Sequence, residues 1–130
     1  MKVEKKSILP IVLTGVVVHG KALGRTVGMP TANISVDMEC LPEAGVYATR
    51  IEVDGDVHVS VTNIGNRPSV DDSEQVTVET HILDFEKDIY GKNVVLEICK
   101  FLRPVVRFES LKAVREQVNK DILEVKKYFT

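Results

Sequence analysis

The 130-residue chain contains no tryptophan, and aromatic residues make up only 5% of it. Proteins that hold single-stranded nucleic acid usually stack the bases on aromatic side chains, and this composition offers few such surfaces. The formal net charge is −2, whereas nucleic-acid-binding domains usually present a basic face. We therefore expect no nucleic-acid partner.

Cysteine is scarce, and a long apolar run is absent. Cys40 and Cys99 are the two cysteines, and they show no close pairing motif. We expect free thiols in a reducing cytosol, with one long-range disulfide as the open alternative. The apolar stretch 8–18 is too short to cross a bilayer, is interrupted by Pro10, and precedes no small-residue cleavage site. A cytoplasmic protein without a membrane partner is expected.

The most unusual segment has a glycine at every fourth residue. Gly20, Gly24 and Gly28 fit neither the alternation of a strand nor a stable helix, and two cations, Lys21 and Arg25, lie between them. Glycines let a backbone curl until its N–H groups converge on one anion, and nearby cations favour phosphate as that anion. The segment is therefore a candidate phosphate-binding loop.

This glycine segment ends in Pro30-Thr31-Ala32-Asn33, a rigid turn with two small oxygen-bearing side chains. Thr31 and Asn33 can supply neutral oxygens to Mg²⁺, a hard cation that bridges phosphates. A flexible surface loop between two strands is the alternative, and the glycine spacing alone favours it. The added Pro-Thr-Ala-Asn turn favours phosphate and metal binding.

The rest of the chain has the pattern of a small antiparallel β domain with one terminal helix. Asp54-Gly55 is a two-residue hairpin signal between two strand-like runs, and 63–68 has turn composition. Only the tail has helical periodicity, with Ser110 as a candidate N-cap. We predict one domain, 1–130, with a lead-in at 1–13, a β barrel or sandwich at 14–108, and a helix at 109–129. This helix either covers the β domain or binds a partner.

Glu79 is the candidate catalytic carboxylate. It lies within an otherwise apolar and β-branched strand, 76–85, whereas most other acids fall in loops, turns or the helix. Phosphoryl transfer to an alcohol needs a carboxylate to take the proton, and a strand positions that group more precisely than a loop. From the pattern alone, a solvent-facing residue of an alternating strand is the better interpretation.

Two blocks of this sequence resemble the signatures of the riboflavin kinase family, whose members phosphorylate riboflavin to FMN. The first is Gly20–Asn33, in the form Gly-x-x-x-Gly-x-x-x-Gly-x-Pro-Thr-Ala-Asn, and the second comprises Glu79–Phe85 and Asp88–Gly91. The resemblance extends over residues 15–129. It implies a mainly β fold, a six-stranded antiparallel Greek-key barrel with a C-terminal helix. It also implies phosphorylation of the riboflavin 5′-hydroxyl by ATP with Mg²⁺, or with Zn²⁺ or Mn²⁺ as alternative metals.

The resemblance assigns roles to individual residues. Glu79 would act as general base on the ribityl hydroxyl, Thr31 and Asn33 would hold the metal and the phosphates, and Asn63–Pro68 would lie near the nucleotide. The stretch 102–111 matches the family region that closes over the flavin. The expected cofactor-binding set is Gly20, Lys21, Gly24, Arg25, Gly28, Pro30, Thr31, Asn33, Asn63, Arg67, Tyr90, Arg103 and Phe108.

Alternatives stay open for two members of this set and for the whole protein. Phe108 either stacks on the flavin or is buried beneath the helix, and Arg103 either contacts the flavin or is a surface cation. We expect a monomeric, stand-alone kinase that converts riboflavin and ATP to FMN and ADP. A fragment of a bifunctional riboflavin kinase/FAD synthetase, or a non-catalytic barrel that binds flavin or nucleotide, are the alternatives.

Overall fold

The computed structural model describes residues 8–18, 31–68 and 74–130. These ranges contain six strands, a single-turn 3₁₀ helix at Met38–Cys40 and one long helix. The elements are β1 (Ile11–Val18), β2 (Ala32–Val36), β3 (Gly45–Val53), β4 (Asp56–Pro68), β5 (Glu74–Ile82), β6 (Asn93–Arg103) and α1 (Leu111–Tyr128).

The six strands close into one barrel. Their order around the wall is β1-β2-β5-β4-β3-β6, β6 pairs with β1 again, and all neighbours are antiparallel. Consecutive strands β3, β4 and β5 lie side by side while β6 returns beside β3, which is the Greek-key arrangement. The six-stranded antiparallel barrel with a C-terminal helix is therefore confirmed, and closure gives each of the six described strands a neighbour on both sides.

The hairpin at Asp54-Gly55 is confirmed, but the turn predicted at 63–68 is wrong. Asp54 and Gly55 have φ values of 52° and 86°, and two consecutive positive φ angles are typical of the tight turn that joins twisted antiparallel strands. Residues 63–68 instead extend β4 and pair with β5, from Asn63 opposite Glu79 to Pro68 opposite Glu74. The ladder of backbone hydrogen bonds overrides the turn preference, and Pro68 is tolerated because it ends the strand.

Two apolar clusters hold the barrel and the helix together. Inward-facing side chains of all six strands fill the barrel, and three of them, Ile51, Leu96 and Ile98, are completely buried. A second cluster lies on the outer wall, where Val125 of α1 packs against Val46 and neighbouring residues of β3 and β4. The helix thus covers one side of the barrel, as one of the two sequence interpretations expects.

Helix α1 begins directly after Ser110, the predicted N-cap residue. Ser110 is extended (φ −148°, ψ 158°), and its hydroxyl accepts a hydrogen bond from the N–H of Ala113 at 3.1 Å. This cap satisfies one of the backbone donors that the first helical turn leaves without a partner.

Within the described ranges, no helix combines the length and the apolar character that crossing a membrane requires.

Gly15 lies where β1 closely approaches β2. A Cβ atom at this position would lie 2.5 Å from the backbone carbonyl oxygen of Ser35 and 2.7 Å from Cγ2 of Ile34. Because the nearest atom belongs to the backbone, relief would require the whole strand to shift. The two strands can therefore pair at this distance only because residue 15 has no side chain.

We expect Gly15→Ala to lower the free energy of unfolding by about 1–3 kcal/mol, the usual cost of forcing extra atoms into a packed interior. Gly65→Ala is the matched control, because a Cβ there would lie 3.5 Å from Oδ1 of Asn63, an ordinary contact distance. Urea unfolding of both variants measures the difference. Equal stability of the two variants would contradict the close approach at Gly15.

Both cysteines are free thiols, so the alternative of a long-range disulfide is wrong. Cys40 is exposed, whereas Cys99 is partly buried and its thiol donates to Oε1 of Glu97 at 3.3 Å. Burial, followed by this hydrogen bond, raises the pKa of the Cys99 thiol to about 11. Glu97 is itself held by Arg50, whose Nη2 lies 2.6 Å from Oε1, and both hydrogen bonds lower the Glu97 pKa.

The two thiols are expected to differ in reactivity at pH 8. A thiol with a pKa near 11 has only about one molecule in a thousand as the reactive thiolate at that pH. Iodoacetamide should therefore modify Cys40 well before Cys99, as peptide mass spectrometry would show. Cys40→Ser leaves Cys99 as the single target, and its modification should accelerate only as the pH approaches 11. Equal rates for the two thiols at pH 8 would refute this environment for Cys99.

Candidate active site

Strand pairing brings three of the expected site residues into one row. On β5, Glu79 is opposite Asn33 of β2 on one side and opposite Asn63 of β4 on the other. Residues directly opposite each other point to the same face of a sheet, with Cβ atoms about 4.5–5.5 Å apart. The carboxyl group of Glu79 therefore lies between two amide side chains that come from residues 46 and 16 positions before it in the chain.

This row faces outward from the barrel. The neighbours of Glu79 along β5, Val78 and Thr80, are buried in the interior, so alternation turns Glu79 to the opposite face. Glu79 and Asn33 are half-buried and Asn63 is exposed. The predicted alternation of β5 is confirmed, and the row is accessible to a ligand on the outer wall.

The glycine segment joins the wall next to this row. Val18, the last residue of β1, is opposite Asn33 of β2, so the connection between β1 and β2 leaves and rejoins the barrel beside Glu79. Thr31 immediately precedes β2 and is half-buried. The remaining predicted residues of the segment lie outside the described ranges; they are Gly20, Lys21, Gly24, Arg25, Gly28 and Pro30.

A chain of buried hydroxyl groups lies directly behind the row, and sequence reasoning missed it. Oγ1 of Thr49 lies 2.6 Å from Oγ of Ser60 and 2.8 Å from Oγ1 of Thr62, which in turn lies 2.9 Å from Oγ1 of Thr80. All four residues are completely buried. These hydrogen-bonded hydroxyl groups tie β3, β4 and β5 together at the level of Asn63 and Glu79. The sequence feature that could have revealed this chain is the presence of hydroxyl residues at inward-facing positions of β4 and β5.

The loop between β5 and β6 reaches the base of the glycine segment. The N–H of Gly91 donates to the carbonyl of Val17 at 2.9 Å, and the N–H of Val17 donates to the carbonyl of Lys92 at 3.0 Å. Tyr90 is 54% exposed, and its N–H donates to the carboxylate of Asp88 at 3.0 Å. These bonds hold the backbone next to Tyr90 against the end of β1, the strand from which the chain enters the predicted phosphate loop.

Arg103 and Phe108 lie together at the junction of β6 and α1. The Arg103 guanidinium makes a bidentate ion pair with Asp121 of the helix, and its central carbon lies 5.8 Å from the centroid of the Phe108 ring. Phe108 is half-buried. Arg103 is therefore an ion-paired residue rather than a simple surface cation. Arg67 lies near the end of β4, and its side chain is outside the described part of the structure.

The oxygen atoms near Glu79 suit a hard divalent cation. In the ranges 8–18, 31–68 and 74–130, His, Cys, Asp and Glu form no group of three that could hold a metal. The Thr31 hydroxyl and the Asn33 amide oxygen are neutral donors, and Asn33 is directly opposite Glu79 in the strand pair. Mg²⁺ takes oxygen ligands, keeps several of its waters and binds substrate phosphates. The donor set fits Mg²⁺ better than a metal that needs nitrogen or sulfur ligands.

Residues 8–129 match the Flavokinase model, the riboflavin kinase family. The chain therefore belongs to the riboflavin kinase family. The match covers all six strands and the helix, together with the row formed by Asn33, Glu79 and Asn63.

Curated relatives agree with this assignment. The chain is 36% identical over 121 residues to the bifunctional riboflavin kinase/FMN adenylyltransferase of Listeria monocytogenes, covering 92% of this chain and 38% of that protein. It is 39% identical over 118 residues to the RNA-binding riboflavin kinase RibR of Bacillus subtilis, covering 91% of this chain and 51% of the relative. The chain thus spans about two-fifths to one half of these relatives. Because one of them is described as RNA-binding, the absence of a nucleic-acid partner stays a prediction.

Solved structures share the fold. A riboflavin kinase from Trypanosoma brucei aligns with a TM-score of 0.64 at 28% identity, over 92% of this chain and 76% of that one. A protein described as a macrolide-efflux protein from Streptococcus pneumoniae aligns with a TM-score of 0.83 at 31% identity, over 90% of this chain and 38% of that one.

Proposed function

We propose that this chain transfers the γ-phosphoryl group of ATP to the 5′-hydroxyl of riboflavin, giving FMN and ADP. The observation that carries the proposal is the strand register that sets Glu79 between Asn33 and Asn63, next to the base of the glycine segment. Membership of the riboflavin kinase family supports the choice of substrates. The proposal concerns only the reaction of this domain and does not extend to any further activity of the longer relatives.

The residues of the first signature block would hold the nucleotide. The backbone N–H groups of the glycine segment and its two cations would bind the phosphates, as its composition predicts. Thr31 and Asn33 would hold Mg²⁺ through their side-chain oxygens. The bound metal would neutralise the charge of the phosphates during transfer.

Glu79 would serve as the general base. Its carboxylate would accept the proton of the riboflavin hydroxyl while that oxygen bonds to the γ-phosphorus and the bond to the ADP oxygen breaks. Phosphoryl transfer needs little covalent help, so positioning and charge neutralisation are the main tasks of the site. The buried hydroxyl chain behind β4 and β5 would keep the carboxylate at a fixed place.

Glu79→Gln is expected to reduce kcat for FMN formation by about 10²–10⁴-fold, the usual contribution of a positioned general base. Glu52→Gln is the matched control, because Glu52 is an exposed strand carboxylate on β3 and belongs to no proposed part of the site. Chromatographic separation of FMN from riboflavin, with ATP and Mg²⁺ in excess, measures both rates. Undiminished turnover by Glu79→Gln would remove Glu79 from the mechanism.

The same assay on the unchanged protein tests the function itself. Riboflavin binding without FMN formation would overturn the kinase proposal and favour a non-catalytic flavin-binding barrel.

Asn33→Ala is expected to raise the Mg²⁺ concentration needed for half-maximal rate by about tenfold or more, since even indirect changes around metal ligands cost 10–100-fold in affinity. Ser35→Ala is the control, because Ser35 is exposed two residues further along the same strand. Titrations with Mg²⁺, Mn²⁺ and Zn²⁺ at saturating riboflavin would also identify the preferred metal. An unchanged Mg²⁺ dependence in Asn33→Ala would exclude this residue from the metal site.

A further inference from the structure

The junction between β6 and α1 contains a carboxylate that no step of the proposed reaction uses. Asp121 is charged and only 4% exposed, although it lies on a surface helix. Burying a charge is costly unless it is paired and hydrogen-bonded, so this residue must be held by specific partners. Those partners are Arg103 and Gln117.

The contacts fix the plane of the Arg103 guanidinium. Its Nε donates to Oδ1 of Asp121 at 2.9 Å and its Nη2 donates to Oδ2 at 2.8 Å. Gln117, one helical turn earlier, donates from Nε2 to Oδ1 at 3.0 Å. A bidentate pair of this kind sets orientation as well as distance, and Gln117 in turn holds the carboxylate.

A bulge in β6 turns Arg103 towards the helix. Val46 of β3 is opposite Arg103, while the next residue, Tyr47, is opposite Phe101, so Leu102 is an extra residue in the ladder. Bulges commonly re-aim a side chain at the end of a pairing. The Phe108 ring lies against the guanidinium, 5.8 Å from its central carbon. Arg103 is therefore held by the helix and by the segment that leads into it.

Arg103 keeps donor groups for a ligand. A guanidinium has five N–H groups. Three are used, two by Asp121 and one, on Nη1, by the carbonyl of Pro104 at 3.2 Å. Among the described residues nothing accepts from the other two, one on each terminal nitrogen. The side chain is 20% exposed, so a ligand on the surface can approach it.

Arg103 is in register with the proposed catalytic row. Glu79 is opposite Asn63, Asn63 is opposite Val46, and Val46 is opposite Arg103. Three inter-strand steps along the wall amount to about 14 Å. Helix α1 covers Val46 between the two ends, so a ligand that reaches both ends must pass beside the helix. A flat ring system joined by a polyhydroxylated chain to the reacting hydroxyl is the kind of molecule that needs two such anchors.

We propose that Asp121 is a positioning residue for the flavin: it holds Arg103 so that the two remaining guanidinium N–H groups donate to a carbonyl oxygen of the flavin ring. This inference rests on the proposed riboflavin kinase function. Asp121 itself touches no substrate and acts only through Arg103.

Asp121→Asn tests the proposal because it keeps the shape of the side chain and removes its charge. The KM for riboflavin should rise about tenfold or more, the usual effect of losing a hydrogen bond that involves a charged group, while the KM for ATP and kcat stay within about twofold. Glu124→Gln is the matched control, because it removes one charge from an exposed position of the same helix. Equal changes in the two KM values, or no change in either, would overturn the proposal.

A double variant that exchanges the two charged residues, Arg103→Asp/Asp121→Arg, distinguishes the positioning role of Asp121 from a purely structural one. Asp121→Asn should also lower the Tm, because Arg103 loses its partner, so all assays are run well below that temperature. The exchanged pair should recover Tm and still show the raised KM for riboflavin; recovery of both would overturn the positioning role. Asp121→Glu keeps the carboxylate, so its KM for riboflavin should stay within about threefold of that of the unchanged protein. This variant serves as the test if the double variant does not fold.

Failure of the kinase proposal is distinguishable from failure of this one. If the unchanged protein makes no FMN, the proposed function falls, and quenching of riboflavin fluorescence still compares binding to the unchanged protein and to Asp121→Asn. If FMN is made and Asp121→Asn leaves the KM for riboflavin unchanged, the positioning role alone falls.

Discussion

The register of β5 against β2 and β4 is the constraint on which the rest of the molecule depends. Side chains alternate along a strand, so a slip of one residue would turn Glu79 into the apolar interior and Thr80 out to solvent. The hydrogen bond between Thr62 and Thr80 opposes such a slip between β4 and β5, and the close approach at Gly15 restricts how β1 pairs with β2. The same contacts that stabilise the barrel therefore place a carboxylate between two amides on its outer wall.

The C-terminal helix fixes the other end of this wall. Val125 packs on β3 and β4 from outside, and the Arg103–Asp121 pair joins the end of β6 to the helix. A barrel closed by backbone hydrogen bonds is a rigid support, and positions on strands are held more accurately than positions on loops. The loops that connect the strands can then carry residues that contact ligands, as loops on rigid scaffolds commonly do.

Several features could be predicted because they depend on neighbours in the chain. The Asp54-Gly55 hairpin, the alternation of β5 and the Ser110 cap each follow from local backbone chemistry. The prediction of a turn at 63–68 was wrong. Glycine, asparagine and proline there favour a turn only locally, and pairing with a distant strand outweighed this preference. Asp121 was missed although it lies between Val118 and Val125 on the apolar stripe, a position at which a charge indicates a buried partner.

The sequence by itself determined the alternation of β5, the Asp54-Gly55 turn and the two signature blocks, because these are properties of residues a few positions apart. Only the tertiary structure decided that Asn33, Asn63 and Glu79 are neighbours, that four hydroxyl residues form one buried chain, and that Asp121 holds Arg103. These relations join residues far apart in the chain. They depend on which strands pair and in which register, and that is settled by the closure of the whole barrel around one core.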